Sequence, residues 1–153
     1  MSPLVHWEHR VYRGGLHELS QARKDLTADL TGFAPDVVDT LRLCLSELFA
    51  NAVKYTDSGT EYGEVIQTLC LPGPSTLRLS VSDSGGGGVP RVPAERDDDA
   101  WSRAEGQRGL FLVQSLSRAW GHYQLGPWAG LGTNVWAEFH VAPARVPRGL
   151  PPF

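Results

Sequence analysis

The sequence predicts an α/β protein of the α+β kind: a two-layer sandwich, with helices covering one face of a mixed, mostly antiparallel sheet. Three observations carry this expectation. Segments of strand and helix character follow one another in the order β, α, α, β, β, α, β, β, which lets the helices gather on one side of the sheet. The two middle strand segments flank Pro72-Gly73-Pro74, an apparent hairpin turn. The length of 153 residues, with 41% hydrophobic and 20% charged residues, suits one globular domain with a substantial core.

Along the chain, Leu4 to Tyr12 is rich in β-branched and aromatic residues and reads as a strand that stops at Gly14-Gly15. Leu16, Leu19, Ala22, Leu26 and Leu30 fall at helical spacing, and Gly32 closes that helix. A second helix starts at Ala34-Pro35-Asp36, where a proline in the first turn loses no needed hydrogen bond. Its core stripe is Val37, Leu41, Leu45, Leu48 and Ala52, and it ends at Thr56-Asp57-Ser58-Gly59. Gly63 to Leu71 and Thr76 to Asp83 are the next strands; Leu77, Leu79 and Val81 alternate with Arg78, Ser80 and Ser82. Ser84 to Ala104 holds four consecutive glycines and an Asp-rich cluster and reads as a long functional or mobile loop. A third helix is expected over Gly109 to Trp120, then strands over Tyr123 to Pro127 and Thr133 to Val141. Residues 1–142 form the expected single domain, and 143–153 a Pro-rich C-terminal tail read as a loose end.

Composition narrows the function. No apolar run approaches the roughly 20 residues that cross a bilayer, and Met1 to Glu8 has neither a basic region nor an apolar signal core. A cytoplasmic protein without a membrane role is therefore expected. The net charge of -3 argues against nucleic-acid binding by bulk charge. Cys44 and Cys70 lie in apolar segments without metal-type spacing and read as buried reduced thiols. Five tryptophans fill either face of the sheet or mark a protein contact.

Four local patterns point to chemistry. Glu47 and Asn51 are four apart in the second helix and share a face beside its apolar stripe. Buried without partners they would cost about 1–3 kcal/mol each, whereas a hydrated Mg²⁺ with phosphates supplies partners. Asp83 at a strand end, followed by Ser84 and the glycines 85–88, suits a ligand that approaches the backbone closely. Gly106-Gln107-Arg108-Gly109 opens a helix, whose backbone N–H groups and dipole attract phosphate; Arg108 would add a charged contact. Gly130-Leu131-Gly132-Thr133 places a hydroxyl just before a strand. Taken singly, these are equally a solvated helix face, an Asp-Gly turn, a helix cap and a hairpin turn. Their order and spacing are far more specific.

Glu47-Leu48-Phe49-Ala50-Asn51-Ala52 resembles the N box of GHKL nucleotide-binding domains. Asp83-Ser84-Gly85-Gly86-Gly87 resembles their D-x-G-x-G box, Arg108-Gly109-Leu110 the second glycine box, and Gly130 to Thr133 the final G-x-G-T element. Within this superfamily of histidine kinases, type II topoisomerases and anti-sigma factor serine kinases, the chain is most similar to the last group, in its actinobacterial form. Further similarity lies in Ala22-Arg23-Lys24, Leu45-Ser46-Glu47-Leu48, Leu112-Val113 and Thr133-Asn134-Val135-Trp136-Ala137-Glu138. It covers roughly Leu16 to Phe139.

The resemblance implies the Bergerat ATP-binding fold with ATP and Mg²⁺ as cofactors. It implies Glu47 as general base, Asn51 as magnesium ligand, Asp83 on the adenine amine with Gly85 and Gly87 shaping the pocket, Arg108 and Gly109 at the phosphates, and Thr133 near the adenine end. Residues 84–104 would be the ATP lid. Lys54 is either a phosphate contact or a solvated helix charge. The implied partners are a sigma factor and an anti-anti-sigma antagonist, with a possible homodimer and no direct contact with nucleic acid. Three departures stand out: Gln107 where many members have Gly, Gly86 in place of Pro, and Lys54-Tyr55-Thr56 in its histidine-kinase form. His17-Glu18-Leu19 superficially resembles a phosphoacceptor box, but the Arg-x-Pro continuation is missing, and no long dimerisation hairpin fits before the N box; a surface histidine is expected. Two functions follow: a serine/threonine kinase that sequesters a sigma factor, favoured by Glu47 and Asn51, or a partner-binding module without phosphotransfer, kept open by Gln107.

Overall fold

The computed structural model describes residues 5–55, 63–83, 108–125, 132–148 and 150. Its elements are β1 (Val5–His6), β2 (Arg10–Arg13), α1 (Leu19–Asp29), α2 (Pro35–Tyr55), β3 (Glu64–Gly73), β4 (Thr76–Ser82), α3 (Arg108–Leu116), β5 (Ala119–Gln124) and β6 (Thr133–His140). Every strand pairing among the described residues is antiparallel. Both β1 and β2 lie on β3, followed by β4, β6 and β5. The helices pack on one face, so the two-layer sandwich is as the sequence predicts.

Alternation sorts the sheet residues. Val65, Leu69, Leu77, Leu79, Val81, Val135, Ala137 and Phe139 are buried against the helices, each facing the same side as its register partner. From α2, Leu41, Cys44, Leu45, Leu48, Phe49 and Ala52 join this core. Each fully buried Leu or Phe contributes about 1.5–3 kcal/mol, and this packing rather than propensity holds the helix. At its start, Val37 and Val38 donate to the Ala34 carbonyl at 3.0 and 3.1 Å, as the Pro35 reading requires.

On the opposite face, Trp136 lies over Gly121, whose missing Cβ would fall 2.6 Å from the indole. The Arg78 guanidinium sits 5.6 Å from the same ring and donates through Nε to Glu138 at 2.8 Å. Trp7 belongs instead to the helix-side core, beside Phe33.

Four boundaries differ from expectation. The first strand is broken: Val5 pairs with Leu71 and Arg10 with Gln67. One extra residue is therefore accommodated near Glu8 and His9, a bulge. The third helix ends at Leu116 and β5 already begins at Ala119, because Trp120 pairs with Ala137 on β6 instead of extending the helix. The C-terminal segment is not wholly loose. Pro143–Arg145 forms a 3-10 turn, and Val146 and Leu150 pack against the core. The hairpin turn falls at Pro74 and Ser75, since β3 runs through Gly73. His17 is exposed, with 79% of its side chain accessible, as expected.

Candidate functional site

The predicted residues are carried by α2, the start of α3 and the facing ends of β4 and β6. Around one cleft stand Val37 and Leu41 of α2, Leu116 of α3 and Phe139 of β6. The beginning of α2 therefore meets the ends of α3 and β6. Chain direction then sends the later turns of α2, the start of α3, the end of β4 and the start of β6 towards the opposite end of the sheet. Those are the segments that carry Glu47 and Asn51, Gly109, Asp83 and Thr133.

Glu47 and Asn51 are half-buried, next to the buried Leu45, Leu48 and Ala52. Glu47 lies against Gly109. A Cβ on Gly109 would collide with Glu47 Oε2 and stand 3.1 Å from its Cβ and 3.3 Å from its Cδ. The missing side chain at 109 leaves room for this carboxylate, which lies by the first turn of α3, where the helix dipole favours negative charge. The charge also reaches Cys44. Burial pushes this thiol up to about 12, and Glu47 adds to the rise. Both cysteines are free and buried, as expected. Lys54 is exposed on the last turn of α2.

The second pair is Asp83 and Thr133. The Asp83 N–H donates to the Thr133 carbonyl at 3.0 Å, and the Thr133 N–H donates to Asp83 Oδ1 at 3.2 Å. The carboxylate is thereby oriented by a backbone donor on the neighbouring strand. Gly132 precedes that donor at φ 110°, a left-handed conformation that glycine adopts without strain. Thr133 is 8% exposed.

Four motifs distant in the sequence are therefore joined as two contacts, Glu47 with Gly109 and Asp83 with Thr133. Gly85, Gly87, Gln107, Gly130 and the 84–104 loop lie outside the described residues, as does the Arg108 side chain. One pair escaped the sequence reading. Behind Asp83, the Asn134 Nδ2 donates to Ser82 Oγ at 2.8 Å in a buried bond. In an alternating strand, Ser82 reads simply as a solvent-facing position, and only the pairing with β6 reveals its partner.

The family described as the histidine kinase-like ATPase domain matches residues 15–139. Among characterised proteins, the chain is similar to the sensor histidine kinase AruS of Pseudomonas aeruginosa, 33% identical over 122 residues, 73% of this chain and 12% of that protein. It thus spans a small part of the length of that relative.

Proposed function

Because the chain belongs to the histidine kinase-like ATPase family, we propose that it is an ATP-binding regulatory protein that acts as a serine/threonine kinase. In this reading it phosphorylates an anti-anti-sigma antagonist and sequesters a sigma factor in the cytoplasm. The observation that carries the ATP reading is the pairing of Glu47 with Gly109 and of Asp83 with Thr133. One pair lies where a helix start attracts phosphate, the other where a fixed carboxylate accepts the amine of adenine. No helix among the described residues is long and apolar enough to cross a membrane.

The oxygen donors Asn51 and Glu47, four apart on one helix, fit the preference of Mg²⁺ for oxygen ligands. When bound, the ion would neutralise phosphate charge. Asn51 would hold it, and Glu47 would take the proton of the acceptor hydroxyl. The hydroxyl oxygen forms a bond to the γ-phosphorus as the bond to the β-bridging oxygen breaks, and ADP leaves. Asp83 binds the amine edge of adenine, and Thr133 keeps the carboxylate aimed. The α3 N-terminus, with Arg108, holds the phosphates. Gln107 at the second glycine box supports the other reading, a partner-binding module with weak or no turnover.

Isothermal titration calorimetry of Mg²⁺-ATP, with Asp83→Ala as control, tests the ATP reading. Micromolar binding lost in the variant is the expected result. No binding to a folded sample would overturn it and leave the partner-binding module. Phosphotransfer to a Ser- or Thr-bearing antagonist tests the kinase reading.

A further inference from the structure

We infer that Asn134 is a positioning residue for the adenine end of the site, acting through Ser82 on Asp83. The inference rests on the ATP reading above and assigns a role to a pair on the far side of the sheet. Ser82 and Asn134 are register partners on β4 and β6. They form the last cross-strand pair before Asp83, whose carboxylate meets the Thr133 N–H. Alternation turns Val81 and Val135 towards the helices, so Ser82 and Asn134 face the opposite side. Asp83 and Thr133 share the front of the sheet end, and the Asn134–Ser82 bond ties the two strands together from behind.

Strand ends fray more readily than strand centres, and here the fraying end would carry the adenine contact. A bond of 2.8 Å between two buried side chains restrains the separation of β4 and β6 where Asp83 needs it fixed. Asn134 is 4% exposed, and its Oδ1 is buried with no hydrogen-bond partner among the described residues. An orphaned acceptor opposes folding. An amide that leaves one of its atoms orphaned is explained by what the other holds, the Ser82 hydroxyl.

The test compares wild type, Asn134→Leu, Ser82→Ala and Ser82→Thr by thermal melting, amide hydrogen exchange and Mg²⁺-ATP calorimetry. In Asn134→Leu, which removes one orphaned acceptor but leaves the buried Ser82 hydroxyl without its donor, the Thr133 amide should exchange about tenfold faster while those of Leu79 and Ala137 stay protected, with the melting temperature within a few degrees of wild type. ATP affinity should fall about tenfold, the effect of one lost directional restraint on a binding group. Ser82→Ala should match that loss, and Ser82→Thr, which keeps the hydroxyl, should restore affinity. Unchanged Thr133 exchange would overturn the inference, as would faster exchange with undiminished affinity. If wild type binds no ATP, the nucleotide reading falls by itself. The exchange measurement needs no nucleotide and still decides whether Asn134 holds Asp83.

Discussion

The carboxylate of Glu47 occupies the space where a side chain at Gly109 would begin, so that one helix supplies the acidic group and another supplies the gap it fills. Alanine at 109 would gain about 1 kcal/mol of helix propensity but place a methyl group in that gap. The far end of Glu47 swings away at little cost, whereas its Cβ, 3.1 Å from the added atom, does not. Gly109→Ala is therefore expected to keep a melting temperature within a few degrees of wild type while phosphotransfer falls by at least about tenfold, the cost of a misplaced catalytic group. Single-turnover phosphotransfer beside thermal denaturation checks this, and full activity would show that the Glu47 position is not critical.

Glu47 and Asn51 should separate chemistry from binding. Loss of a general base costs about 10²–10⁴-fold, so Glu47→Ala should abolish measurable phosphotransfer and leave ATP affinity nearly intact. Asn51→Ala should weaken Mg²⁺-ATP binding. Calorimetry and a phosphotransfer assay on both variants decide between the roles. Equal phosphotransfer in Glu47→Ala, or unchanged affinity in Asn51→Ala, would remove that residue from the mechanism.

The thiols should be silent in the folded protein. Burial pushes Cys44 up to about 12, with the Glu47 charge raising it further. Burial also raises Cys70, although Arg78 opposes the rise. Both stay protonated and covered at pH 8, so a thiol reagent should label them only as fast as the protein opens. A raised folded value contributes stability that is complete below the unfolded value of about 8.5 and is lost as pH rises towards the folded one. Urea titrations should therefore show stability falling between about pH 9 and 12, with a shallower fall in Cys44→Ala.

An acidic counterpart lies where β2 meets α1. Arg10 donates to both oxygens of Asp29 at 2.8 and 2.7 Å, and Tyr12 donates to Asp25 at 2.7 Å. Burial alone would raise the Asp25 value, but hydrogen bonds from Tyr12 and Gln21 and the charge of Arg10 outweigh it and hold the carboxyl below its usual range. A depressed folded value contributes stability above the unfolded value of about 3.9, lost as pH falls through the folded one. Tyr12→Phe should cost about 1–2 kcal/mol at pH 7. In urea titrations, the gap to wild type should close as pH falls from the unfolded Asp25 value through the lower folded one. A gap that persists below the folded value would place the Tyr12 contribution in packing.

Much of this was legible in the residue order. The stripe through Leu41, Leu45, Leu48 and Ala52 set the buried face of α2, and with it the shared edge of Glu47 and Asn51, because a 3.6-residue period admits one face to the core. The strand ending at Asp83 was equally plain, since glycines follow an alternating run. Where periodicity failed, a partner strand had intervened. Trp120 fits a helical pattern locally, yet pairing with Ala137 of β6 draws it into β5. The bulge near Glu8 and His9 has no local signature, but a one-residue slip reverses every later side chain. It is this slip that turns Arg10 and Tyr12 towards Asp29 and Asp25 on α1.

The sequence by itself settled the fold class, the buried faces and the identity of the chemical groups, since each follows from spacing within a few turns or one strand. Contacts between distant segments were the work of the folded chain. Glu47 against Gly109, Asp83 with Thr133 and Ser82 with Asn134 depend on how helices stack and strands register, which no local period encodes. A carboxylate becomes a candidate base or an adenine acceptor only through the neighbour that orients it.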